Sequence, residues 1–445
     1  MIGLALLCAA AAAGSGARSA AALVPAAADA ALLLDGAQGA AGLRAFLDGV
    51  AQRAPALAAG PRLAALVGPD LIGNPTSWGV SSSGPRAMLL WGGSAGLSAP
   101  VRDSRAARAA LQSWLAEVGT PRSVRAPPVR GLLAAGDGRR ARAGAVASIG
   151  GAPRLLTASG PRATALVAAL AQAATRTAGA ARLSADRALA AGLAQLTGPA
   201  ALVLRGADPL RAATLSLDGS AQGVIARGLV LASSPLLSGA APGPSSCAGA
   251  SLFCLRAGLG PAGREALALA ARAYLGALLA PDDRDAPDQL AQRAAAAAER
   301  VVVRSDGADV RLLSTEREAL WALRLQAVTA PQAGEGAADA RGPRSFCIRA
   351  DATAAWFGTP CPAAAPADPG APEGTSALEA QLDLGAADAA LKKLSPLDAL
   401  HGGLAAGLYA GRLTAGGLLR GSGPVTVTGR ANPAGAEVEL RWPLR

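Results

Sequence analysis

The chain has 445 residues, of which 51% are hydrophobic and only 3% aromatic, and its 42 basic and 31 acidic side chains leave a net charge of +11. That length is enough for two or three domains with real cores; alanine buries little surface, so leucine, valine and the six tryptophans must carry the packing. Apart from Lys392 and Lys393 the basic residues are all arginine, scattered and not interleaved with aromatics, as GC-rich codon use would leave them. This argues against a nucleic-acid partner and leaves adhesion to an anionic envelope surface open.

The first residues, MIGLALLCAAAAA, make an apolar run of signal-peptide length, and Gly14-Ser15-Gly16 then breaks it. The small residues of Ala17-Arg18-Ser19-Ala20 offer an A-x-A-like cleavage site, so a signal peptide over 1–20 and export to the periplasm, envelope or medium are expected. The run is shorter than the roughly 20 residues of a membrane anchor, so no transmembrane helix is expected in the mature chain. No Lys or Arg precedes the run, which a start codon placed too far downstream would explain. Leu7 before Cys8 breaks the lipobox pattern, which sets the lipoprotein form aside.

The mature chain opens with a strand at Ala30–Leu34 and a helix carrying Leu43, Phe46, Leu47 and Val50 on one face, closed by Pro55. Strands follow at Arg86–Trp91 and Leu97–Val101, then a helix capped by Asp103 or Ser104. Its buried stripe is Leu111, Trp114, Leu115 and Val118, and Gly119 ends it. A meander near Leu132, Ala145 and Leu155 turns at Gly136-Asp137-Gly138 and Gly150-Gly151, and a helix from Pro161 points Leu166, Val167 and Leu170 inward. Gly198–Leu204 echoes Gly84–Leu90, and Arg154-Leu155-Leu156-Thr157 echoes Arg311-Leu312-Leu313-Ser314, with Leu320 and Trp321 on a helix after it. Helices at about Pro261–Leu279 and Ala286–Arg300 flank an acidic turn. Linker-like stretches at Thr329–Pro343 and Pro360–Thr375 precede a C-terminal hairpin that turns at Asn432-Pro433-Ala434-Gly435.

The expected fold class is therefore α+β: two similar lobes of antiparallel sheet, each covered on one side by Ala/Leu-rich helices, plus a C-terminal α+β segment. The lobes span 24–180 and 181–328, a linker-rich region 329–375, and a C-terminal helix and hairpin segment 376–445.

Four cysteines remain beyond the leader, in two local pairs inside Pro/Gly/Ser-rich loops. Disulfides Cys247–Cys254 and Cys347–Cys361 are the expectation. Zinc is the competing reading, but neither pair has C-x₂₋₄-C spacing and no histidine lies near.

One motif has a catalytic form. Gly92-Gly93-Ser94-Ala95-Gly96 fits G-x-S-x-G after an apolar strand, where a nucleophile elbow would sit, and Asp398 and the single histidine, His401, follow in the right order. Against it, the residues after Gly96 read as a second strand, no His-Gly-Gly-type oxyanion loop precedes it, and His401 lies beyond both linker-like stretches. The competing reading is a glycine-rich hairpin turn. His401 itself sits before Gly402-Gly403, where it would meet the last carbonyls of a helix or solvent. The acidic turn Asp282–Asp288 lacks the EF-hand pattern, Lys392-Lys393 lacks a serine at the S-x-x-K offset, and there is no phosphate-binding glycine loop. No cofactor and no metal are expected. The functional expectation is a non-enzymatic envelope protein with a binding or scaffolding role, its partner an envelope protein or an anionic envelope surface; the alternative is a serine hydrolase using Ser94, His401 and Asp398.

Val24-Pro25-Ala26-Ala27-Ala28-Asp29-Ala30 directly after the leader, with the recurring Gly-Pro-led strand, capped helix and "leucine–leucine–small–small" hairpin, resembles uncharacterised two-lobed envelope proteins of high-GC bacteria. The resemblance covers about residues 24–325. It implies an envelope location and two α+β lobes, and it carries over no catalytic residue.

Overall fold

The structure is a computed structural model that describes residues 15–57, 66–69, 74–175, 181–238, 253–278, 300–304, 309–313, 347–350, 354–358, 376–392 and 403–445. The chain is α+β, built on antiparallel sheet with several helices. It divides into two compact units: Met1–Gly206 with Ala212–Leu229 and Leu444–Arg445, and Ala207–Arg211 with Val230–Pro443.

The first unit runs helix α1 (Ser15–Ala21), strand β1 (Ala30–Asp35), helix α2 (Gly36–Arg53), strands β2 (Pro85–Trp91) and β3 (Ser94–Pro100), and helix α3 (Ser104–Ala116). Strands β4 (Arg122–Ala126), β5 (Val129–Ala135), β6 (Arg142–Ile149) and β7 (Ala152–Ser159) follow, then helices α4 (Ala163–Thr175) and α5 (Ala190–Ala194). It finishes with β8 (Ala200–Arg205), β9 (Leu210–Ser220) and β10 (Gly223–Ala232), the last two shared in sequence with the second unit. The sheet order is β4–β5–β6–β7–β3–β2–β1–β8–β9–β10, and the paired strands from β4 to β9 are antiparallel.

Helix α3 shows how sequence sets this up. The Asp103 carboxylate accepts the N–H groups of Arg105 at 2.9 Å and Ala106 at 3.0 Å, satisfying donors that the first turn leaves free. Leu111, Trp114 and Leu115 then fall on one buried stripe, with the Trp78 ring edge-on to Trp114 at 6.1 Å between centroids. Burying side chains of this size stabilises the unit by about 1.5–3 kcal/mol each.

Helices cover both faces of the first unit's sheet, which corrects the expectation of one-sided cover. Side chains directly across a pair of strands share a face. Leu32, Met88, Leu97, Thr157 and Gly144 are such partners in turn, and a Cβ on Gly144 would meet Leu111 of α3 at 2.5 Å. Gly96, Leu89, Ala31, Val203 and Thr214 form the row on the other face. There a Cβ on Gly96 would meet Leu166 of α4 at 2.8 Å, and Gly192 of α5 packs directly on Thr214. The strands carry the signal: β3 is buried at six consecutive positions, and runs such as Ala-Ala-Leu-Leu-Leu lack the alternation of a half-exposed strand.

The second unit contains strand β11 (Phe253–Gly258), helix α6 (Pro261–Leu278), strands β12 (Arg300–Arg304), β13 (Asp309–Leu313), β14 (Cys347–Ala350), β15 (Ala354–Gly358) and β16 (Leu378–Leu382), helices α7 (Leu384–Leu391) and α8 (Gly403–Arg420), and strands β17 (Val425–Asn432) and β18 (Gly435–Pro443). Its antiparallel order is β14–β15–β13–β12–β11–β16–β17–β18. Asp388 of α7, 2% exposed, is held by Lys392 Nζ at 2.6 Å and Arg420 Nη1 of α8 at 3.7 Å. The expected helix from Ala286, the helix with Leu320 and Trp321, the acidic turn and the two linker-like stretches lie outside the described residues. Among the described residues no helix is long and apolar enough to cross a membrane.

Candidate functional site

The G-x-S-x-G segment is a two-residue hairpin turn from β2 into β3. Trp91 and Ser94 close the ladder, and Gly92 and Gly93 take φ values of +53° and +78°, the left-handed conformations that such a turn demands. Asp29, just ahead of β1, fixes the turn by accepting the Gly92 N–H at 2.7 Å. Arg162 lies over the Trp91 ring with its guanidinium carbon 5.6 Å from the centroid, close enough for a cation–π contact.

Ser94 faces inward. It is 1% exposed, and its Oγ accepts the backbone N–H of Arg162 at 2.8 Å. Arg162 directly precedes helix α4, so the serine acts as a helix cap provided by a distant hairpin. Gly160 lets the two segments touch: at φ +105°, a Cβ there would lie 2.9 Å from Ser94 Oγ. The last motif glycine, Gly96, makes room for Leu166. Each of these features joins β2–β3 to α4.

An elbow nucleophile needs a strand-to-helix turn that lifts its hydroxyl out of the sheet toward a base. Here the turn runs strand to strand, and the hydroxyl oxygen accepts a backbone bond in a closed site. Asp398 and His401 lie outside the described residues.

Two buried arginines stand in the same sheet. Arg154 is 8% exposed and donates from Nε to Ser98 Oγ at 3.2 Å and from Nη2 to the Pro85 carbonyl at 2.8 Å. Desolvation lowers its pKa to about 10, still charged at neutral pH. Arg86 is fully buried, donates to the Gly36 carbonyl at the start of α2, and has its pKa lowered by burial against the opposing charge of Asp35. Its signal in the sequence is an arginine inside the apolar strand Pro-Arg-Ala-Met-Leu-Leu-Trp.

Exposed arginines are densest in the stretch of the first unit that runs from α3 to the turn after β5. Arg105 and Arg108 are exposed on α3, which packs over β5 and β6; Arg122 and Arg125 are exposed on the edge strand β4, Arg130 on β5, and Arg139 in the turn after it. The carboxylates of this stretch are Asp103, engaged in capping α3, Glu117, paired with Arg142 at 2.7 Å, and Asp137. The excess of positive charge therefore faces solvent.

Cys254 is fully buried in β11 and is not a free thiol; Cys347 opens β14, and Cys247 and Cys361 lie outside the described residues. No disulfide has both halves among the described residues. Nor do they bring three His, Cys, Asp or Glu side chains together as a metal site. Comparison with protein-family models, curated proteins and solved structures finds no match to this chain.

Proposed function

We propose that this is an exported, non-catalytic protein that binds an anionic surface of the cell envelope through the arginine-rich stretch of its first unit. The observation that carries the reading is the exposed set on α3, β4 and β5, where one carboxylate of the stretch is used in a cap and another in a salt bridge. Arginines that meet a charged lipid surface contribute about 1 kcal/mol each. Nucleic acid is disfavoured as the partner because Trp114 of α3 is 4% exposed and turned into the core, so its ring offers no face for base stacking. The disulfides Cys247–Cys254 and Cys347–Cys361 belong to the same reading, since export would place them in an oxidising compartment.

The test is sedimentation of the purified protein with vesicles of phosphatidylglycerol and phosphatidylcholine, at low and high salt. Binding should require the anionic lipid and fall as salt screens the charges. Replacing Arg105, Arg108, Arg122 and Arg125 with Gln should weaken it at least about 100-fold, four charges at about 1 kcal/mol each being more than enough. Equal binding to pure phosphatidylcholine, or an unaffected quadruple variant, would overturn the assignment. The serine-hydrolase alternative would instead be favoured by fluorophosphonate labelling that disappears in Ser94→Ala.

A further inference from the structure

Helix α1 belongs to the folded core, packed with its alanines inward. Ala17 and Ala20 are fully buried and Ala21 is 1% exposed, with the helix packed against β1 and β2. Arg18 donates from its guanidinium to the Ala194 carbonyl at the end of α5. The chain beyond stays tied down: the Val24 carbonyl accepts the Leu183 N–H at 2.9 Å, Pro25 bridges to Arg182, and the Ala26 N–H reaches the Ala181 carbonyl at 3.0 Å. Cleavage at Ala20 would discard the buried part of α1 and place a new ammonium group on Ala21, in surroundings that exclude water. A charge brought there without a partner is strongly unfavourable.

The cleavage chemistry points the same way. A small-x-small site ending at Ala20 would put Arg18 at its first position, whereas the alanine run Ala9–Ala13 satisfies both positions. We infer that the leader is removed after one of Ala11, Ala12 or Ala13, and that Ser15–Ala21 stays in the mature protein as a structural helix. The step is hydrolysis by a membrane-bound leader peptidase: water adds across the peptide bond, leaving a carboxylate on the leader and an ammonium on the mature chain. This inference rests on the export reading above.

The experiment is an intact mass and N-terminal sequence of the native protein recovered by fractionation. An N-terminus at Ala12, Ala13 or Gly14 is the expected result. An N-terminus at residues 20–22 overturns the inference and leaves export standing, while a cytosolic chain that keeps Met1 overturns export itself. A second measurement addresses α1 directly, by exporting the chain behind a foreign leader so that it begins at Ser15 or at Ala21. The first form should melt with the native protein and the second at least about 5 °C lower; equal Tm values would remove the structural role of α1.

Discussion

The two units share a plan. Each has a strand at the middle of an antiparallel sheet followed by an 18-residue helix, β1 with α2 and β11 with α6. A hairpin then returns on one flank, β2–β3 or β12–β13, and a later strand closes the other flank, β8 or β16. The order continues outward alike, with β7 beside β3 and β15 beside β13, and with β9 beyond β8 and β17 beyond β16. The units differ in what the central strand carries. β1 reads Ala-Ala-Leu-Leu-Leu-Asp and buries Leu33 and Leu34 completely, whereas β11 reads Phe-Cys-Leu-Arg-Ala-Gly and buries Arg256, whose cross-strand partner Glu379 stands 3.8 Å away. In the first unit the fully buried guanidinium, Arg86, sits one strand out. The plan thus accepts a buried charge at its centre where the flanking strand brings a carboxylate into register, and otherwise keeps the centre apolar.

That comparison can be broken most directly at the central strands. Leu33 lies between Ala87 and Ala201 with no exposure, so Leu33→Ala should leave a cavity and cost about 2–5 kcal/mol. Leu255 on β11 is only half-buried, and Leu255→Ala should cost about 1–2 kcal/mol. Urea unfolding of the two variants checks the order. A larger loss from Leu255→Ala would mean that β11 carries the packing of its unit as β1 does.

The helices that follow offer a sharper contrast of intermediate size. Gly39 of α2 packs on the Pro199 carbonyl, and Gly263 of α6 packs on the Leu236 carbonyl. Backbone cannot swing aside as a side chain does, so Gly39→Ala and Gly263→Ala should each cost about 1–3 kcal/mol despite alanine's better helix propensity. Similar losses, read from thermal melts, would support the equivalence of the two helices. A stabilised Gly263→Ala would end it.

The sequence pattern made some of this plan readable and hid the rest for physical reasons. Helix α3 and the β17–β18 hairpin were legible because cap, apolar period and turn residues agree, with Asp103 before Leu111–Leu115 and Asn432–Gly435 between alternating runs. β4 was not: Arg-Ser-Val-Arg-Ala is an edge strand with no core face, where charge guards against further pairing. The echo of Gly84–Leu90 in Gly198–Leu204 is real but marks neighbours, since β2 and β8 flank β1 in identical register, with Ala87 and Ala201 both opposite Leu33. The echo of Arg154–Thr157 in Arg311–Ser314 joins strands in different places: β7 pairs with β3 and β6, whereas the strand standing where β13 does is β3. At the candidate site the turn itself was readable from Gly92-Gly93 and the strand after it. The parts of Asp29 and Arg162 were not, because they are set by tertiary contact rather than by spacing.

The smallest effect separates two ways of starting a helix. In the second unit α7 is capped locally, with Asp383 Oδ1 accepting the Ala386 N–H at 3.0 Å. In the first, α4 depends on Ser94, which belongs to another element. Losing either cap should cost about 1 kcal/mol, the usual penalty for removing a capping oxygen. The consequences should nonetheless spread differently. Asp383→Ala should loosen only the first turn of α7, whereas Ser94→Ala removes the bond that ties the start of α4 to the β2–β3 hairpin. Amide hydrogen exchange distinguishes these outcomes, with faster exchange expected at Arg162 in Ser94→Ala. Unchanged exchange at that amide would mean that the Ser94 hydroxyl serves something other than the cap, and the case for a reactive serine would gain what the structural reading lost.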